Sequence, residues 1–99
     1  MNSRQRAYLG SLASEMSPIF QVGKASLTPE LIAAIDEALE KRELIKVSVL
    51  KNCIDEPKEI ATVIAERTQS QVVKVIGKKM KFYRPLKKNP KIKLPEQIK

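Results

Sequence analysis

A chain of 99 residues, 42% of them apolar, is sufficient for one folded domain and too short for two. Its single cysteine and its lack of histidine exclude an internal disulfide, a zinc site built on cysteines and the usual neutral-pH general base. The formal net charge is +8. Residues 1–77 carry ten basic and ten acidic side chains, whereas residues 78–99 carry nine basic side chains and one acidic side chain. This asymmetry indicates one side that faces a polyanion and one that faces solvent.

The location of the protein is suggested by what the sequence lacks. No apolar run approaches the roughly 20 residues that cross a membrane. The polar residues 1–9 are not followed by the hydrophobic segment of a secretory signal. Because a lone thiol without disulfides is typical of a reducing compartment, we expect a cytoplasmic protein with no membrane partner.

The first predicted element is a helix over residues 3–14, which Asn2 or Ser3 can cap. Pro18 prevents its continuation, and the next four residues predict a short strand that Gly23 closes. The predicted elements in chain order are helix 3–14, strand 19–22, a helix that begins after Thr28, strand 44–50, a helix that begins at Pro57, strand 72–76 and strand 80–84.

The order αβαβαββ defines the predicted fold. A β-α-β connection is right-handed and favours parallel strands, whereas Gly77 and Lys78 predict a tight antiparallel hairpin between the last two strands. Apolar and polar side chains alternate in residues 44–50, which indicates one buried face. We therefore predict a two-layer α/β (α+β) domain in which a four-stranded mixed sheet has its helices on one face.

A candidate phosphate site lies where the first strand ends. Gly23 allows close approach of the backbone, Lys24 supplies a positive charge, and the helix after Thr28 directs free N–H groups outward. An ordinary strand-to-helix turn that needs a glycine explains the same residues. The segment is not a nucleotide P-loop, because no second glycine precedes a Lys-Ser or Lys-Thr pair.

Two other groups of basic residues also have two interpretations each. Arg4 and Arg6 oppose the macrodipole at the start of the first helix, so they indicate either phosphate contact or an incidental surface charge. The tail lysines would either add sequence-independent affinity for nucleic acid or serve solubility. These lysines are Lys87, Lys88, Lys91 and Lys93.

The predicted hairpin carries a third candidate surface. If Met80 and Phe82 point into the core, then Lys79, Lys81 and Tyr83 point outward. An exposed tyrosine between lysines suits base stacking with phosphate attraction. The alternative is that Tyr83 covers a sheet edge while the lysines discourage aggregation.

Catalytic chemistry is not indicated. Cys53 lies in a predicted loop and is interpreted as an incidental thiol, and no residues combine a nucleophile, a base and an orienting group. We therefore expect neither an enzyme nor a bound cofactor or metal ion.

Seven segments form a recognisable pattern that extends nearly from end to end: PIFQVGK (18–24), LT (27–28), AL (38–39), ELIKV (43–47), VIGK (75–78), YRP (83–85) and IKLP (92–95). In their order and spacing they resemble the YhbY family of stand-alone bacterial CRM (chloroplast RNA splicing and ribosome maturation) domains. The resemblance implies an RNA-binding domain with a fold similar to the C-terminal domain of bacterial translation initiation factor three. Members associate with precursors of the large ribosomal subunit, and plant relatives act in intron splicing.

The resemblance also implies which loop contacts RNA. The family's Gly-x-x-Gly loop, similar in role to the backbone-clamping loop of KH domains, corresponds to Gly23, Lys24, Ala25 and Ser26. Ser26 replaces the second glycine, which adds strain if this position needs a positive φ, or else adds a hydroxyl donor to phosphate. Ser14 stands where the family usually has a histidine in its first helix.

We predict that residues 1–85 form a monomeric CRM-type RNA-binding domain, followed by a basic Lys/Pro-rich tail over residues 86–99. The expected partner is ribosomal RNA in large-subunit precursors, with a role in ribosome assembly and no small-molecule substrate. The predicted RNA-binding residues are Arg4, Arg6, Gly23, Lys24, Ala25, Ser26, Lys78, Lys79, Lys81, Tyr83 and Arg84.

Two other functions remain open at this point. The acidic helix face with Asp36, Glu37 and Glu40 would suit docking on a ribosomal protein or an assembly factor. The basic surface would also suit sequence-tolerant binding of DNA.

Overall fold

The computed structural model describes residues 2–86 and Ile92. The order of its elements is the predicted αβαβαββ. The basic tail predicted from residue 86 lies outside the described residues except for Leu86 and Ile92. The elements are α1 (Ser3–Ser14), β1 (Phe20–Val22), α2 (Pro29–Arg42), β2 (Leu44–Val49), α3 (Pro57–Thr68), β3 (Gln71–Ile76) and β4 (Lys79–Tyr83).

The helix starts follow from local capping. The Asn2 side chain accepts a hydrogen bond from the Gln5 backbone N–H at 2.8 Å, and the Gln5 side chain accepts one from the Asn2 N–H in return. The Thr28 hydroxyl caps α2 by accepting from the Leu31 N–H at 3.1 Å, with Pro29 at the first helical position. Within the described residues, no helix has both the length and the apolar character needed to cross a membrane.

The sheet is mixed and has the strand order β1-β2-β4-β3. Strand β1 pairs with β2 in parallel, and β4 pairs antiparallel with both β2 and β3. Strand β3 therefore runs in the same direction as β2, but β4 is inserted between the two. The predicted four-stranded mixed sheet and the α+β class are confirmed.

One feature of the prediction is wrong: the helices do not all lie on one face. Helices α2 and α3 pack on the face that carries Ile45 and Phe82, whereas α1 packs Leu9 against Leu44 and Tyr83 on the opposite face. Apolar and polar side chains alternate along β2, and the polar side chains on its second face suggested that only one face is buried. Helix α1 nevertheless covers one end of that face, and Lys46 donates to the Met16 carbonyl just after the helix.

We predict that the packing of α1 on this second face is a large part of the stability of the domain. Leu9→Ala removes a fully buried side chain and should lower the free energy of unfolding by about 2–5 kcal/mol. Leu12→Ala, the same change at a position that is 41% exposed on the same helix, should cost less than about 1 kcal/mol. Urea denaturation of the two variants compares them, and equal losses would contradict the packing described.

Candidate nucleic-acid interface

Three connections meet at one edge of the sheet, because β1 and β2 are parallel and end there while β4 begins there. The Val22 carbonyl accepts from the Leu50 N–H at 2.8 Å, which joins the ends of β1 and β2. The Lys78 carbonyl accepts from the Val49 N–H at 2.7 Å, which joins the end of β2 to the hairpin. The loops after β1, after β2 and before β4 are thus brought side by side.

Four exposed lysines lie in these connections or at the first residue of β4. We call them the lysine edge, and they are Lys24, Lys51, Lys78 and Lys79. Among the residues that the structure describes, none of the four is within ion-pair distance of a carboxylate. Lys51 is not among the RNA-binding residues predicted from the sequence. Lys51 follows β2, whereas Gly23 closes β1. Because these two strands are parallel, their ends place Lys51 and Gly23 at the same edge, and this is the signal in the sequence that could have identified Lys51.

The loop Gly23–Ser26 is a tight turn that the neighbouring loop holds in place. The Ser26 N–H donates to the Gly23 carbonyl at 2.9 Å, and Ser26 has a φ of 56°. Of the two alternatives left open for Ser26, the structure therefore has the positive φ, at the cost in strain that glycine avoids. The Ser26 hydroxyl donates to the Asp55 carboxylate, so in this conformation it is not directed to a ligand. Lys24 and Ala25 are exposed at the tip of the turn.

Lys81 is not the outward-pointing side chain that was predicted. Its residue is only 7% exposed, and its ammonium group donates to the Gly10 carbonyl of α1 at 3.2 Å. It lies directly between Lys46 on β2 and Lys74 on β4's other neighbour, β3. Burial lowers the pKa of Lys81, and the positive charges of Lys46 and Lys74 lower it further. We call Lys46, Lys81 and Lys74 the lysine row.

The predicted exposure of Tyr83 is wrong. This side chain is 2% exposed and packs beneath α1 with Leu9 and Leu44. Burial raises the pKa of Tyr83, and the nearby Glu43 carboxylate raises it further. The period of the strand correctly assigns Tyr83 to the face opposite Phe82, but the strand itself does not reveal that α1 covers this face. A ring in this position cannot stack on a base.

Arg84 lies at the opposite end of β4 from the lysine edge, so the predicted continuous basic surface does not include it. Its guanidinium pairs with Asp36 at 2.6 Å and Glu40 at 3.0 Å. It also donates to the Thr68 carbonyl at the end of α3, at 2.7 Å. Arg84 therefore ties β4 to α2 and α3, and it takes up two of the three carboxylates of the acidic helix face.

The two arginines of α1 differ in their contacts. The Arg6 guanidinium donates to the backbone carbonyls of Val72 and Val73, the latter at 3.2 Å. These carbonyls lie where the register of β3 shifts by one residue, and such a bulge leaves a ladder position unpaired. Arg6 thus has a structural partner that explains its position against the macrodipole. Arg4 is exposed to solvent.

No metal centre emerges from the described residues, since they contain no group of three Cys, Asp or Glu side chains placed to hold an ion. Cys53 is half-buried, and its thiol lies 3.9 Å from the Ser26 hydroxyl.

The fold and the lysine edge together define a small α+β domain with one basic edge. The chain belongs to the CRS1 / YhbY (CRM) domain family, whose pattern matches residues 1–84. It is 42% identical to Probable RNA-binding protein YqeI of Bacillus subtilis, over 96% of this chain and 99% of that protein. It is 32% identical to a protein of Haemophilus influenzae named RNA-binding protein, over 98% and 97% of the two chains. The solution structure of the hypothetical protein SAV1595 from Staphylococcus aureus matches with a TM-score of 0.82 at 46% identity, over 96% and 99%.

A pair of substitutions at Ser26 separates backbone strain from the contact with Asp55. Both Ser26→Ala and Ser26→Gly remove the hydrogen bond, but only glycine adopts a φ of 56° without strain. We expect Ser26→Gly to be more stable than Ser26→Ala by about 1 kcal/mol. Thermal denaturation of both variants measures this difference, and equal stabilities would show that the turn relaxes.

Substitution of Arg84 should affect stability rather than RNA affinity. Arg84→Gln leaves the Thr68 carbonyl without its donor and should lower the free energy of unfolding by about 1–2 kcal/mol. Loss of the exposed ion pairs with Asp36 and Glu40 should contribute little to this decrease. Arg42→Gln removes the same charge from an exposed position and serves as the control. Filter binding to RNA compares the folded variants. A larger loss of affinity in Arg84→Gln than in the control would show that Arg84 belongs to the RNA-binding surface after all.

Proposed function

We propose that this protein binds RNA without catalysing a reaction, and that its target is ribosomal RNA in precursors of the large subunit, where it assists assembly in the cytoplasm. Membership of the CRM family and the names of its relatives support RNA as the ligand. The resemblance described above supports the ribosomal target. A domain of this size would act as a monomer.

The observation that carries the proposal is the lysine edge. Four exposed lysines from three neighbouring parts of the chain lie at one edge of the sheet, and like charges repel one another. Folding alone does not favour this arrangement. A phosphate backbone neutralises the lysines and releases its own counterions to solution, which favours binding. The N–H groups at the start of α2 add partial positive charge on the same side.

The remaining sequence-predicted residues divide between contact and support. Lys24, Ala25, Lys78 and Lys79 are exposed and would contact phosphate directly, while Gly23 and the Ser26 backbone would hold the turn. Arg4 would contribute at longer range from α1. We propose RNA rather than protein as the partner, because the carboxylates that would dock on a protein are largely paired within the chain.

The lysine edge is tested by its effect on the salt dependence of binding. A variant with Lys24, Lys51 and Lys78 all changed to Gln should reduce the slope of log K against log salt by about 2, the value for three lost contacts with a single strand. A control with Lys41, Arg42 and Arg67 changed to Gln loses the same charge from the far ends of α2 and α3. Fluorescence anisotropy with a labelled RNA measures both.

Equal slopes in the two triple variants would mean that overall charge, and not this edge, governs binding.

The ribosomal target needs a separate measurement. At about 150 mM salt, where screening reaches about 8 Å, we expect large-subunit ribosomal RNA to compete better than random RNA or duplex DNA. Equal competition by all three would leave RNA or polyanion binding without a ribosomal preference.

A further inference from the structure

A groove separates the side of α1 from the open part of the sheet. Helix α1 crosses the strands over one end of the sheet and leaves the part nearer the lysine edge uncovered. Three hydrogen bonds mark its path: Arg6 to Val73 on β3, Lys81 on β4 to the Gly10 carbonyl, and Lys46 on β2 to the Met16 carbonyl. The groove has a volume of about 550 Å³ and is lined by α1, β3 and β4.

Lys81 and Lys74 of the lysine row line this groove beside α1, and Lys46 continues the row on β2. Lys46, Lys81 and Lys74 are direct neighbours across three adjacent strands, and like charges directly opposite each other destabilise a sheet. Within the described residues, no carboxylate lies within ion-pair distance of the row. Burial lowers the pKa of Lys81, and the positive charges of its two neighbours lower it further, which indicates that they lie close enough to repel it. An anion in the groove would remove this repulsion.

The wall of the groove is made of small side chains. The α1 residues along it are Ser3, Ala7, Gly10, Ser11 and Ser14, apart from Arg6. Gly10 is unusual, because glycine in the middle of a helix is unfavourable. The fold gives no reason for it: the φ of Gly10 is not positive, and an added Cβ would meet no atom within 4 Å. Close approach of a ligand to the helix backbone is the other established use of glycine.

We propose that this groove is a second RNA contact, in which Lys74 and Lys81 hold the phosphates of a single RNA strand that lies against Gly10. The inference rests on the proposed function and adds to it a separate site and a preferred form of RNA. The two strands that line the groove, β3 and β4, are about 5 Å apart, which suits one nucleotide chain and not a duplex. Lys79 lies two residues along β4 from Lys81, about 7 Å towards the lysine edge. One RNA strand can therefore contact both the groove and the lysine edge.

The decisive variant is Gly10→Leu, which fills the groove without changing any charge. Leucine is a good helix former and the position is open, so the variant should fold at least as stably as the parent. Ala33→Leu adds a leucine at an exposed position of α2, on the other face of the sheet, and is the matched control. With a labelled oligouridylate of about ten nucleotides, we expect Gly10→Leu to lose at least about tenfold in affinity, and Ala33→Leu to be unchanged.

A second variant tests the charge of the row without adding bulk. Lys74→Gln should reduce the salt slope for the same oligonucleotide by about 0.7, the contribution of one phosphate contact. It should also raise the melting temperature, because it removes one of the repulsive neighbours of Lys81. Binding and slope unchanged in both Gly10→Leu and Lys74→Gln would overturn the groove site.

The outcome for the groove is distinguishable from that for the proposed function. If the groove variants bind normally while the triple variant of the lysine edge does not, the second site is wrong and RNA binding at the edge stands. If none of these variants loses affinity, both proposals fail. Inorganic phosphate and pyrophosphate, followed by NMR shifts of the Gly10 and Lys74 amides, are the small-anion controls. Saturation by these anions without competition from the oligonucleotide would overturn RNA as the occupant.

Discussion

The packing of α1 across the second face of the sheet is the contact on which the other features depend. It buries Tyr83 and Leu44 and so completes a second apolar cluster in a chain of 99 residues, where one cluster alone would leave half of the sheet open to water. It also gives the Lys81 ammonium a backbone partner in Gly10. Without the helix, the same face would be a flat sheet with no groove.

The charged side chains of the molecule also fall into two groups, one with ion-pair partners and one without. Far from the lysine edge, Arg84 pairs with Asp36 and Glu40, and Lys41 pairs with Glu37. The lysine row and the lysine edge have no such partners among the described residues. Exposed ion pairs contribute little to stability, so the pairs around Arg84 matter mainly because they connect three elements. The unpaired lysines concentrate positive charge at this edge of the sheet, which is the property that orients a polyanion.

How much of this could be predicted from the sequence depends on the range of the interactions involved. Caps such as Thr28 act within one helical turn, and the helix starts were accordingly predicted correctly. The alternation of β4 placed Phe82 and Tyr83 on opposite faces, but a strand does not encode whether another element covers a face. Tyr83 was therefore predicted to be exposed. Lys51 was missed although the parallel pairing of β1 with β2, which was itself predicted, brings it to the same edge as Lys24.

The turn at Gly23–Ser26 keeps a positive φ at its last position although a serine replaces the glycine there. A serine with a φ of 56° is strained, and strain of this kind persists only where the surroundings determine the conformation. Here the surroundings are the hydrogen bond from Ser26 to Asp55 and the attachment of both loops to paired strand ends. The negative charge of Asp55 lies close to a turn whose tip carries Lys24, so this aid to the conformation also weakens the local positive field. Phosphate binding at this edge therefore depends more on Lys51 and Lys78, which is why the edge, and not the turn alone, is the unit that reads the RNA backbone in our proposal.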